Sequence, residues 1–126
     1  MRLLLLGFGV VGQSLVELLD QEAKKLERDF GLRPKIVGIV DSHGTALARE
    51  GIDVKKALAS KKGYSSLSGL GPVVYREGKS GVEAIREAEC EVVIEATPTD
   101  LKTGEPGLSH VREAMRHHRH VISTNK

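Results

Sequence analysis

The feature that most constrains the fold is the opening stretch RLLLLGFGVVGQS, Arg2 to Ser14. Arg2 to Leu6 is an apolar run of strand length, continuous rather than alternating, as in strands buried on both faces. It passes directly into glycines at positions 7, 9 and 12 and then into an amphipathic, charged helical pattern. Strand, tight turn and helix in so few residues describe the first βα unit of a parallel sheet. The competing reading is a secretory signal starting at Arg2. A signal calls for a small-residue cleavage site after its apolar region. None follows here, so the strand reading is preferred.

The rest of the chain continues the alternation. Val11, Leu15, Leu18, Leu19, Leu26 and Phe30 mark one helical face, with Glu17, Asp20, Lys24, Lys25, Glu27 and Arg28 on the other. Gly31 supplies the stop. Lys35 to Val40 is rich in β-branched residues and reads as a second strand ending at Asp41. Ile52 to Lys61 suits a short helix with Val54, Ala57 and Leu58 inward, GYSSLSGLG a loop, and Val73 to Tyr75 a brief strand. A helix is expected from Ser80, with Val82, Ile85, Arg86 and Ala88 as its pattern, and a buried strand over Val92 to Ala96. Pro106 suits a helix start, with Leu108, Val111, Met115 and His118 on one face of the helix that follows. HVIS forms the last strand. The order β-α-β-(α)-β-α-β-α-β predicts an α/β fold: a Rossmann-type, doubly wound parallel sheet in three layers, one domain over residues 1–126.

Composition narrows the function classes. With no Trp, two Tyr and two Phe, the chain has no stacking surface for single-stranded nucleic acid, and a net charge of +2 is too small to argue for nucleic-acid binding. No apolar run approaches the ~18 residues of a membrane span. Cys90 is the only cysteine, which rules out an intrachain disulfide or a cysteine metal cluster, and it reads as a small buried hydrophobe. The run His117-His118-Arg119-His120 has no acidic partner at ligand spacing. It is read as helix-end cations rather than a metal site.

The chemistry is expected at the glycine turn. Gly7 permits the bend, Gly9 lets the main chain approach a pyrophosphate, and Gly12 allows close helix–strand packing. The helix's first N–H groups and its dipole then face the phosphates. Asp41, ending the next strand, is placed to accept hydrogen bonds from a ribose, although it lies later than the usual ~20 residues past the motif. A purely turn-forming role for Asp41 in DSHG stays open. A carboxylate there favours NAD, and His43, Arg49, Lys55 and Lys56 could offset its repulsion of a 2′-phosphate, so NAD and NADP both remain candidates.

Four stretches together resemble the nucleotide-binding domain of homoserine dehydrogenase: GFGVVGQSLVELL, VDSHG, VVIEATPTDLKTGEPGLSHVREAM and HVISTNK. The resemblance covers nearly the whole chain, least informatively at residues 52–80. It implies NAD(P)-dependent interconversion of L-homoserine and L-aspartate 4-semialdehyde, a step toward threonine, methionine and isoleucine. It also implies that the turn Gly7-Phe8-Gly9-Val10-Val11-Gly12 carries the pyrophosphate, that Thr97 meets the nicotinamide-side ribose, and that Thr124 and Lys126 reach the nicotinamide and substrate edge. Lys126 is the expected catalytic residue, an amine whose pKa falls beside the oxidised ring so that it shares in proton transfer. The family continues past this lysine into a substrate and dimerisation domain. The expectation is therefore a cytoplasmic homodimer for the full-length enzyme, with this portion alone binding nucleotide but inactive. A stand-alone nucleotide sensor and a related amino-acid dehydrogenase, such as one acting on aspartate, are the alternatives.

Overall fold

The structure, a computed structural model, describes residues 1–125. Its elements are β1 (Arg2–Leu6), α1 (Val10–Gln21), α2 (Ala23–Phe30), β2 (Lys35–Val40), β3 (Gly44–Leu47), α3 (Val54–Tyr64), β4 (Tyr75–Glu77), α4 (Gly81–Glu87), β5 (Val92–Glu95), α5 (Gly107–Arg116) and β6 (His120–Ser123). They build a six-stranded sheet in the order β4-β3-β2-β1-β5-β6.

Strand periodicity divides the core into two layers. Leu3, Leu5 and Ile36 face one side and pack with Val16 of α1, Ala57 of α3 and Leu67. Leu4, Leu6 and Val37 face the other and pack with Ala84 and Ile85 of α4 and Ala114 of α5. Apolar strands covered on both faces explain why β1 reads as unbroken leucine. Cys90 is buried in the second layer, and that burial pushes its thiol pKa up.

The sheet is mixed rather than wholly parallel. β2, β1, β5 and β6 run parallel, whereas β3 is antiparallel to both β2 and β4. β3 was not anticipated, and β4 starts at Tyr75 where Val73 to Tyr75 had been expected to be the strand. The long first helix is also two. α1 ends at Gln21 and α2 restarts at Ala23, so Leu18 and Phe30, expected on a buried face, are exposed, while Val16 is fully buried. In α5 the buried residues are Gly107, His110, Glu113 and Ala114, and Leu108 and Met115 lie outward. The inward polar groups are satisfied there: Glu113 accepts from Arg86 at 2.8 Å and His110 meets Glu95. Among the described residues no helix is long and apolar enough to cross a membrane.

Candidate functional site

The turn between β1 and α1 closes through backbone contact. At Gly7, where φ is +99°, a Cβ would sit 2.5 Å from the Ala96 carbonyl oxygen, and at Gly12 one would sit 2.2 Å from the Gly7 carbonyl oxygen. Gly9 differs, since a Cβ there would meet nothing within 4 Å. Its Cα faces open space at the helix mouth.

That mouth is uncapped. Gly9 holds the N-cap position with no side-chain cap, and no acidic residue occupies the first turn. The Gln13 N–H donates to the Gly9 carbonyl, so the earlier N–H groups of Val10, Val11 and Gly12 have no intrahelical acceptor. The Gln13 side chain reaches back to the Phe8 carbonyl at 2.9 Å and braces the turn. Orphan donors at the positive end of a helix dipole, with no carboxylate to use them, form a site for an anion.

A crevice of about 460 Å³ opens over this mouth. It brings Phe8, Gly9, Val10 and Val11 together with Asp41, Thr97 and Thr124, from the ends of β1, β2, β5 and β6, and adds Ser42, Lys61 and Pro98. A second hollow of about 450 Å³ shares Asp41, Ser42, Thr97 and Pro98 with it and runs past His43 toward Ser80, Gly81 and His110. Convergence on strand C-terminal ends is where open α/β sheets bind ligands. Lys126 lies outside the described residues.

Asp41 stands at the end of β2, but its carboxylate turns inward, with a side chain only 1% exposed. Oδ1 accepts from the N–H groups of His43 and Gly44, both at 2.8 Å, and Oδ2 from Leu67 at 3.0 Å. This is the turn-forming role left open by the sequence, and it folds β2 back into β3. Of the cations considered, Arg49 pairs with Glu89 at 3.1 Å, whereas His43 lines the second hollow. Lys55 and Lys56 are exposed on α3 and line neither space. Among the described residues, the cation that lines the first crevice is Lys61, with Nζ 3.9 Å from Asp41 Oδ2 and 3.3 Å from the Ser65 carbonyl. It lies on α3, far along the chain from the motif, and sequence reasoning missed it.

Sequence reasoning also missed Glu95. This carboxylate is fully buried at the end of β5 and accepts from the Thr97 N–H at 2.8 Å, the Thr97 hydroxyl and Asn125 Nδ2 at 3.4 Å, while His110 Nδ1 lies 2.5 Å away. Burial pushes its pKa up, but the hydrogen bonds from His110 and Thr97 outweigh burial and hold it below the usual carboxylate range. A glutamate closing the apolar strand VVIE demands a partner, and that demand was the available signal.

No protein-family model matches the chain. Two curated relatives do. It is 32% identical over 126 residues to the homoserine dehydrogenase of Methanocaldococcus jannaschii, covering 100% of this chain and 37% of that protein. It is 31% identical over 129 residues to the NAD(+)-dependent homoserine dehydrogenase of Pseudomonas canavaninivorans, covering 99% of this chain and 35% of the relative. The chain matches part of homoserine dehydrogenase.

It spans about a third of the length of these homoserine dehydrogenases. The fold agrees. A structure from Archaeoglobus fulgidus assigned as a homoserine dehydrogenase superposes with a TM-score of 0.79 at 26% identity, over 99% of this chain and 34% of the other. A hyperthermophilic archaeal homoserine dehydrogenase in complex with NADPH gives a TM-score of 0.78 at 22% identity, covering 99% of this chain and 35% of that one, a likeness of fold.

Proposed function

We propose that this chain is the dinucleotide-binding domain, residues 1–126, of an oxidoreductase that interconverts L-homoserine and L-aspartate 4-semialdehyde with NAD or NADP. The observation that carries the reading is the uncapped mouth of α1, where Gly9 leaves space and the first three main-chain N–H groups have no intrahelical acceptor. The relatives add the chemistry. One is named for its dependence on NAD(+), and a neighbour of the same fold is complexed with NADPH.

In this reading the pyrophosphate sits on the N–H groups of the turn Gly7 to Gly12. The adenosine lies toward Ser42 and His43 in the second hollow, and the nicotinamide end toward Thr97 and Thr124. Asp41 shapes the adenosine side by holding the turn at residues 42–44, and Lys61 brings positive charge to that side. The nucleotide, when bound, supplies the hydride acceptor and donor. Lys126 is proposed to share in moving the alcohol proton, as amines beside a cationic ring do when their pKa falls. The small-molecule substrate is positioned by a further domain of the complete enzyme, which is proposed to be a cytoplasmic homodimer.

Calorimetric titration of this chain with NAD+ and NADP+, alongside a homoserine oxidation assay, tests the reading. Binding of at least one nucleotide without turnover is expected, because orientation of the substrate falls to residues beyond this domain. Failure of both nucleotides to bind at millimolar concentration would end the proposal. Homoserine oxidation by residues 1–126 alone would remove the need for a second domain.

A further inference from the structure

The Glu95–His110 pair belongs to neither the phosphate turn nor the proton-transfer step, yet Glu95 holds Thr97, which lines both hollows, and His110 lines the second. The two carboxylate oxygens divide their work. Oε2 faces His110 Nδ1 at 2.5 Å, which fixes the carboxylate to α5. Oε1 faces the crevice loops, accepting the Thr97 N–H at 2.8 Å, the Thr97 hydroxyl and Asn125 Nδ2 at 3.4 Å. Thr97 follows β5, and Asn125 follows β6. One buried side chain therefore ties together the two segments that carry Thr97 and Thr124. The main chain of the same residue completes the tie, since the Glu95 carbonyl accepts from the Thr124 N–H at 3.0 Å.

Packing shows independently that the cluster has little room to move. A Cβ at Gly81 would fall 2.3 Å from His110 Nε2, and one at Gly107 would fall 2.8 Å from Asn125 Nδ2. Two helix-opening residues thus lack side chains where the cluster presses against them. A hydrogen-bonded group whose helix anchor is itself clamped can impose orientation on the loops it holds.

We infer that Glu95, clamped by His110, is a positioning residue that sets the Thr97 and Thr124 segments for the ribose and nicotinamide half of the dinucleotide. The inference rests on the dinucleotide reading above and deepens it. Glu95 does not touch the nucleotide. It acts through Thr97 and Asn125, on the ribose and nicotinamide half of the ligand.

The test compares two ligands on the 126-residue chain. NAD+ reaches the Thr97 and Thr124 end, whereas ADP carries only the adenosine and diphosphate. Glu95→Gln keeps the shape and one acceptor oxygen but cannot satisfy His110 and the loops as a carboxylate does. Calorimetry should show NAD+ affinity falling about tenfold in E95Q and ADP affinity staying within about twofold, the order expected when one charge-assisted hydrogen bond is lost. Equal losses for both ligands would indicate general damage to the fold and overturn the inference, as would unchanged NAD+ binding. Asn125→Ala, at a partly exposed position outside any helix or strand, covers the case in which E95Q does not fold. It should weaken NAD+ severalfold and leave ADP unaffected, and NAD+ binding equal to wild type would again overturn the inference. If the wild-type chain binds neither ligand, the dinucleotide reading falls and this inference falls with it.

Discussion

The Lys61 ammonium stands 3.9 Å from the Asp41 carboxylate, so the acid that ends β2 enters the crevice already paired with a cation. Alone, a carboxylate at this place would repel a 2′-phosphate. With three main-chain N–H groups and a lysine on it, Asp41 presents little uncompensated charge. Lys61→Ala is therefore expected to shift preference toward NAD+. NADP+ affinity should drop about tenfold, as for loss of one charged hydrogen bond, while NAD+ changes severalfold less. Paired titrations of wild type and variant check this, and equal losses would show that Lys61 meets a group common to both nucleotides.

Two neighbouring glycines should respond in opposite ways. In Gly12→Ala the new methyl would lie 2.2 Å from a backbone oxygen, which has no flexible end to move aside. Overpacking costs about 1–3 kcal/mol and occasionally more, a clash with backbone falls at the upper end, and the urea midpoint should fall accordingly. In Gly9→Ala the methyl meets no protein atom and φ is an ordinary −83°. Stability should hold while nucleotide binding falls at least tenfold, because the methyl occupies the space assigned to the pyrophosphate. Normal binding in the Gly9 variant would show that the anion does not sit there.

Asp41→Ala should destabilise the chain itself. Removing the carboxylate leaves the N–H groups of His43, Gly44 and Leu67 without an acceptor around a side chain that is 1% exposed. At about 1–3 kcal/mol for each unmet buried donor, a loss of about 3 kcal/mol is expected in urea denaturation. An effect below about 1 kcal/mol would mean that water reaches these donors.

How far the sequence disclosed this arrangement varies with the physics at each place. The β1 turn was legible because backbone contacts near 2.5 Å admit only glycine, so Gly7 and Gly12 mark the geometry directly. β2, β5, β6 and the start of α4 were legible from apolar runs and from Ser80, whose hydroxyl caps Glu83 N–H. β3 was hidden because Gly44–Leu47 has no β-branched run and owes its place to the fold-back held by Asp41. The buried face of α5 was misread because apolar periodicity points to Leu108 and Met115, whereas partners at distant positions make His110 and Glu113 tolerable inside. Lys61 and Glu95 escaped for the same reason. What each does is set by residues far away in the chain, Asp41 in one case and His110 in the other.

Hydrogen bonds hold the Glu95 pKa below its ordinary value despite burial. A carboxyl whose pKa is lower folded than unfolded contributes stability at pH values above the unfolded pKa, ~4.3 for glutamate. That contribution declines as the pH falls through the folded value, because protonation then removes the acceptor from Thr97 and His110. Glu113, also lowered, chiefly by its hydrogen bond from Arg86, adds to acid sensitivity in the same direction. It is present in both proteins of the comparison and so cancels. Wild type and Glu95→Gln should therefore differ most in urea midpoint near neutral pH. The gap should narrow steadily below about pH 5, since the glutamine has no proton to gain. A gap that stays constant from neutral pH down to pH 3 would mean that the Glu95 carboxyl titrates alike in the folded and unfolded chains.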